Sequence, residues 1–169
     1  ARRYARRSPR AGRARLWTIL ILSLVGAAVV ASHVAIAQPQ RVAAELKFAC
    51  VDSGAIYRTA ALYFIEKYGD GAEKAIEDKA LLKEELKKFA IDFKVDPALN
   101  FTVLLDSVDV SSKIRTQKVS NFVARVASNP EVREKVNERL RSFALKNKVV
   151  MDGRDIASCV LPDSRLKVF

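Results

Sequence analysis

The apolar and polar positions divide the chain into segments of two kinds. Residues 55–68, AIYRTAALYFIEKY, repeat their apolar positions close to every 3.6 residues, which predicts a helix. Gly69-Asp70-Gly71 ends it. Residues 72–89, AEKAIEDKALLKEELKKF, hold the helical period through good helix formers and predict a second amphipathic helix. The period then falls to two. AIDFKV, NFTVLLD and VDVSS, within residues 90–112, predict short strands with turns at Asp96-Pro97 and Asp106-Ser107. Helical spacing returns at about 116–128 and breaks at Asn129-Pro130. It resumes over 131–146, with Pro130 suited to the first turn. KVVMDGRD reads as a strand running into a polar turn, and SRLKVF at 164–169 as one more strand.

Nearer the start, FACVDSG is a short apolar run stopped by Asp52-Ser53-Gly54, a strand followed by N-cap chemistry. RVAAELKF (41–48) has helical spacing, and VAIA (34–37) is an apolar run of strand length. Only Gln38, Pro39 and Gln40 join them. Alternating helix and strand predicts an α/β fold with a parallel sheet, and residues 90–112 a small inserted β element.

Composition shifts sharply at 38–41. Residues 1–40 contain no acid, whereas acids and bases alternate afterwards as in a soluble globular domain. Of the net charge of +11, residues 1–15 supply +7 through seven arginines, and the other 154 residues only +4. The basic character is therefore largely that of a short tail, suited to a nucleic acid, a membrane surface or a targeting segment, or to a disordered extension. Leu16–Ala31 is sixteen residues without a charge, short of the roughly 20 that span a bilayer. Extending it to Ala37 reaches that length but takes in His33. The arginine-rich start, apolar run and Ala35-Ile36-Ala37 also match a secretory signal. Residues 1–40 thus read as an N-terminal extension: an anchor, a signal, or the product of a frameshift or fusion. Any membrane contact is expected only through residues 16–37.

Cys50 and Cys159 are isolated, which suits buried free thiols in a reducing compartment rather than a metal site or disulfide framework. His33, the single histidine, has no acid or nucleophile near it in sequence. No Ser-His-Asp set, metal cluster or interleaved basic and aromatic surface for RNA is legible. Two polar clusters stand at expected strand ends, where open α/β sheets bind ligands. One is Asp52-Ser53-Gly54 with Tyr57-Arg58; the other is Asp152-Gly153-Arg154-Asp155. Each brings an arginine to a strand end, and the two converge if their strands are neighbours. The guanidinium fork binds phosphate through two hydrogen bonds and keeps its charge. An aspartate beside it can accept from an exocyclic amine such as cytosine N4. On spacing alone, ordinary capped turns and salt bridges remain the plainer account. Arg115 and Arg133, taken singly, read as solvated charges.

The order of three segments changes that balance. VDSGAIYRTAAL, IRTQKVSNFVARVASNPEVRE and VVMDGRDIASCVLPDSRLKVF occur in an order and spacing that resemble bacterial cytidylate kinase, over roughly residues 41–169. The resemblance implies a parallel-sheet P-loop kinase-like core, with residues 90–112 as its nucleoside-monophosphate-binding insert. It implies transfer of the γ-phosphoryl of ATP, with Mg²⁺, to CMP or dCMP by a cytoplasmic monomer with no nucleic-acid partner. By the same resemblance Arg58 and Arg154 hold the acceptor phosphate, and Arg133 and Asp155 read the cytosine. Tyr57 lies near the ribose, and Ser53 belongs to the same acceptor motif. Arg115 belongs to the matching IRT phrase without an assigned role, and Ala124 falls where the family has a base-contacting serine. The family's G-x-x-x-x-G-K-S/T loop, which cradles the phosphates of ATP, occurs nowhere in the 169 residues. Its arginine-rich lid would follow Phe169. The chain as written is therefore expected to have negligible kinase activity. The rival expectations are a membrane-anchored, non-catalytic nucleotide-binding protein and an exported chain cut after Ala37.

Overall fold

A computed structural model describes residues 39–167. The basic tail, the apolar segment 16–37 and VAIA lie outside them. The first helix, α1 (Pro39–Leu46), leads through Lys47 into β1 (Ala49–Asp52). Asp52 caps the long α2 (Ser53–Tyr68), its carboxylate accepting from Gly54 N–H. Gly69 turns the chain at the end of α2, its N–H donating to Ile65 carbonyl at a φ of 55°.

Residues 72–89 form two helices where the spacing predicts one: α3 (Ala72–Glu77) and α4 (Lys79–Lys88). The break is at Asp78, in extended conformation, whose carboxylate accepts from Ala80 and Leu81 N–H and starts α4 afresh. An aspartate competes with helical backbone bonding in this way without any glycine or proline.

The insert is as the period-two pattern predicts. β2 (Ile91–Val95), β3 (Phe101–Leu105) and β4 (Val108–Asp109) form an antiparallel sheet in that order. Ile91 pairs with Leu105, and Leu104 with Asp109. Asp106 and Ser107, both at positive φ, make the tight two-residue connection. The insert packs against the rest of the fold: Phe93, Phe101 and Phe143 meet at ring separations of 5.3–5.7 Å.

Thr116 caps α5 (Gln117–Ser128), and Asn129 caps α6 (Pro130–Lys146) with Pro130 in the first turn. α6 leads to β5 (Val149–Asp152), which pairs parallel with β1 in full register from Ala49–Val149 to Asp52–Asp152. The α/β fold with a parallel sheet is thus observed, as two strands among the described residues. A π-helical turn, Ile156–Val160, follows β5 and was not foreseen. The strand expected over 164–169 is not formed in its described part, 164–167, where no strand pairs with it.

One core joins these elements. The middle of α2, Ala60 to Phe64, is buried on consecutive positions and lies among Val51, Val126, Val132, Val136 and Leu140. That burial around the whole helix explains why α2 carries alanines and aromatics where a surface helix would carry charge. No helix among the described residues is long and apolar enough to cross a membrane.

Candidate functional site

The parallel register of β1 and β5 sets Asp52 beside Asp152, so the two polar clusters emerge at the same end of the sheet. Their contact is close. Ser53 is buried at the start of α2, and a Cβ placed on Gly153 would stand 2.0 Å from its Oγ. Only a residue without a side chain lets the second loop lie against the first in this way.

Tyr57 follows Ser53 by one helical turn and is half-buried. Arg133, from the first turns of α6, places its guanidinium 5.9 Å from the Tyr57 ring centroid, within cation–π range. Its Nη1 donates to Ala127 carbonyl at 3.1 Å, and its Nη2 pairs with Asp155 Oδ2. Arg133 and Asp155 remain 32% and 33% exposed, so both stay open to a ligand. The fold thus brings together Ser53, Tyr57, Arg133 and Asp155 from α2, α6 and the turn after β5.

Arg58 lies on the other side of the α2 N-terminus, its Nη1 3.6 Å from Asp52 Oδ2. Arg154 is exposed between Gly153 and Asp155, with no hydrogen-bond or ion-pair partner among the described residues. The two arginines therefore flank the joined strand ends, one tethered and one unengaged. The Arg115 side chain, exposed on the turn before α5, has no hydrogen-bond or ion-pair partner among the described residues, and Ala124 is exposed on α5.

Burial pushes the Tyr57 phenol above its ordinary pKa; Arg133 offsets part of this, and Cys159 adds to it. The ring thus stays neutral, an aromatic face with a hydroxyl donor. Burial, then Asp152 and Asp52, also raise the Cys50 thiol. That suppresses thiolate chemistry at this strand. Both cysteines are free; Cys50 is partly buried and Cys159 exposed.

Two contacts beside the site were not singled out from sequence. The Ala127 carbonyl anchors Arg133, and Arg141 on α6 donates to the carbonyls of Cys159 and Val160. Both contacts end on backbone carbonyls, which leave no residue-type signal. Among the described residues, no group of three or more histidine, cysteine or carboxylate side chains could hold a metal ion.

The arrangement offers cations for a phosphate, a neutral aromatic wall, and a paired donor and acceptor for a base edge. The sequence profile of the cytidylate kinase family matches residues 32–169. Cytidylate kinase of Flavobacterium johnsoniae is 38% identical over 131 residues, 77% of this chain and 56% of the relative. Those of Pelotomaculum thermopropionicum and Bacillus cereus are 40% identical over 125 residues and 41% over 128. They cover 74% and 76% of this chain, and 53% and 54% of the relatives. The chain thus spans about half the length of the curated relatives it matches. On the family match and on these identities, the chain belongs to the cytidylate kinase family.

Proposed function

We infer that this chain carries the acceptor-binding part of an ATP:CMP phosphotransferase, and that CMP or dCMP binds where β1 and β5 end. The observation that carries this reading is the Arg133–Asp155 pair facing Tyr57, with Arg58 and Arg154 beside it. Cytosine presents a donor at N4 and acceptors at N3 and O2. Asp155 suits the first and Arg133 the others. Uracil presents an acceptor at position 4 and a donor at N3, which sets like against like at both residues. Tyr57 walls the ribose, Ser53 donates from the start of α2, and Arg58 and Arg154 hold the acceptor phosphate.

In the reaction, an oxygen of the CMP phosphate attacks the γ-phosphorus of ATP, and ADP leaves with the electron pair of the broken bond. The protein's part is to hold the acceptor phosphate in line and to stabilise charge that spreads over the transferring group. Mg²⁺ would neutralise phosphate charge when it arrives with ATP. The described residues provide no carboxylate cage for it, and no step here is routed through it. Losing one well-placed transition-state donor costs about 10²–10³ in rate. With no phosphate-cradling loop in its sequence, this chain alone binds CMP but turns it over negligibly. Free thiols and a nucleotide substrate support a cytoplasmic setting.

Equilibrium titration with CMP and UMP, beside a coupled ADP-release assay, tests the reading. Expected are saturable binding of CMP in preference to UMP, weakened in Arg58→Ala, and no CMP-dependent ADP release above background. Equal affinity for the two nucleotides sinks the base-reading assignment. Turnover at an ordinary enzyme rate sinks the assignment of inactivity.

A further inference from the structure

Helix α6 touches the segment after β5 at two places. Arg133 holds the Asp155 carboxylate. Eight residues later, on roughly the same helix face and about 12 Å along the axis, Arg141 reaches the other end of the π-helical turn. Its Nε donates to Val160 carbonyl at 3.0 Å and its Nη2 to Cys159 carbonyl.

The turn depends on such a partner. Its opening carbonyl, on Asp155, accepts from Cys159 and Val160 N–H at 2.8 and 3.3 Å. The Ile156 carbonyl accepts from Leu161 N–H at 2.7 Å. The chain then leaves the helical path at Leu161 and Pro162, so the Cys159 and Val160 carbonyls have no following turn to satisfy them. No other group among the described residues donates to either. A guanidinium fork fits two adjacent carbonyls better than a lysine does.

We propose that Arg141 is a positioning residue for base recognition: it fixes the turn 155–160 on α6 so that the Asp155 carboxylate stands at Arg133 and Tyr57. This rests on the acceptor-site reading above. Arg141 makes no hydrogen bond or ion pair with Ser53, Tyr57, Arg58 or Arg154, so its hydrogen bonds act on the end of the site that meets the base. Arg154 stands two residues after the last β1–β5 pair, Asp52–Asp152, and before the π-helical turn.

The test compares CMP with ribose 5-phosphate, which keeps phosphate and sugar but lacks the base, on the full 169-residue chain. Arg141→Met should weaken CMP binding about tenfold while changing ribose 5-phosphate affinity less than about twofold, because loosening a positioning contact penalises only the groups it orients. Arg141→Lys, which keeps the charge but loses the planar fork, should fall between, at about threefold for CMP. Far-UV circular dichroism and melting temperature accompany each titration. Should Arg141→Met fail to fold, the Lys variant carries the comparison. A folded variant that keeps the parent's ratio of CMP to ribose 5-phosphate affinity overturns the proposal. So does a loss equal for both ligands, which is what a merely structural role gives. A parent chain that binds ribose 5-phosphate as tightly as CMP overturns the acceptor-site reading itself, and the Arg141 assignment with it.

Discussion

Replacing Gly153 with alanine tests whether the two polar loops truly meet. A Cβ at this position would lie 2.0 Å from Ser53 Oγ, 3.0 Å from Ile156 Cγ1 and 3.1 Å from Ile156 Cδ1. Non-bonded heavy atoms settle at about 3.5 Å, so the new methyl would overlap the serine by about 1.5 Å. Neither neighbour gives way cheaply. Ser53 is 6% exposed and opens α2, while Ile156 opens the π-helical turn. Overpacking of this kind costs about 1–3 kcal/mol, a fall in melting temperature on the order of 5 °C for a chain of this size. The assay is thermal and urea unfolding of Gly153→Ala, Ser53→Ala and the double variant. Ser53→Ala removes the oxygen that the methyl strikes, which is by far the closest contact, and leaves the Ile156 contacts at 3.0 and 3.1 Å. The double variant should therefore regain at least about 1 kcal/mol relative to the sum of the single losses. Additive losses, or a Gly153→Ala chain as stable as the parent, would refute the packing described for the site.

Two further outcomes follow from buried polar groups. Glu85 on α4 is buried: burial pushes its pKa up, but hydrogen bonds from Lys67 and Tyr63, the Lys67 charge and Lys88 outweigh this and hold it at about 2. Its stabilising contribution is full above the unfolded value of 4.5 and is lost as pH falls towards 2. Urea titrations should therefore show the gap in stability between the parent and Glu85→Gln, on the order of 2 kcal/mol at neutral pH, closing between those pH values; a pH-independent gap counts against the network. Asn137 lies between Arg133 and Arg141 on α6, and its buried Oδ1 has no partner among the described residues. Asn137→Leu should raise stability by about 1 kcal/mol, whereas a loss in the same unfolding assay shows that this oxygen is satisfied in solution.

What the sequence made legible follows from the range of the interactions involved. The cap at Asp52, the break at Asn129-Pro130 with Pro130 in a first helical turn, the hairpin turn at Asp106-Ser107 and the period-two insert are local, and the structure has each of them. The break at Asp78 is local too, but the apolar period runs through it unbroken, and the capping carboxylate shows only in the backbone. The π-helical turn is hydrogen-bonded by Arg141, at least fifteen residues earlier, and nothing within IASCV announces it. The site divides the same way. Its residue types stand out at two strand ends, whereas the Arg133–Asp155 pairing and the Ser53–Gly153 approach require β1 and β5 to be neighbours. Spacing alone permits that neighbourhood without requiring it.

The pairing of β1 with β5 also fixes when the site can exist. Asp52 and Asp152 stand side by side although one hundred residues of chain separate them. Closure over that distance must be met before the pairing rewards it, so contacts of this kind form late. On a growing chain the delay is longer. At about 5–20 residues per second, about 5–20 s pass between synthesis of Asp52 and that of Asp152. Through that interval Ser53, Tyr57 and Arg58 can already be seated on α2, beside a completed insert, while the loop after β5 that meets Ser53 is still missing. The meeting of the two polar loops is thus among the last contacts of the molecule to form, and a growing chain that stops short of β5 carries Ser53, Tyr57, Arg58 and Arg133 without the loop that brings Arg154 and Asp155 to them.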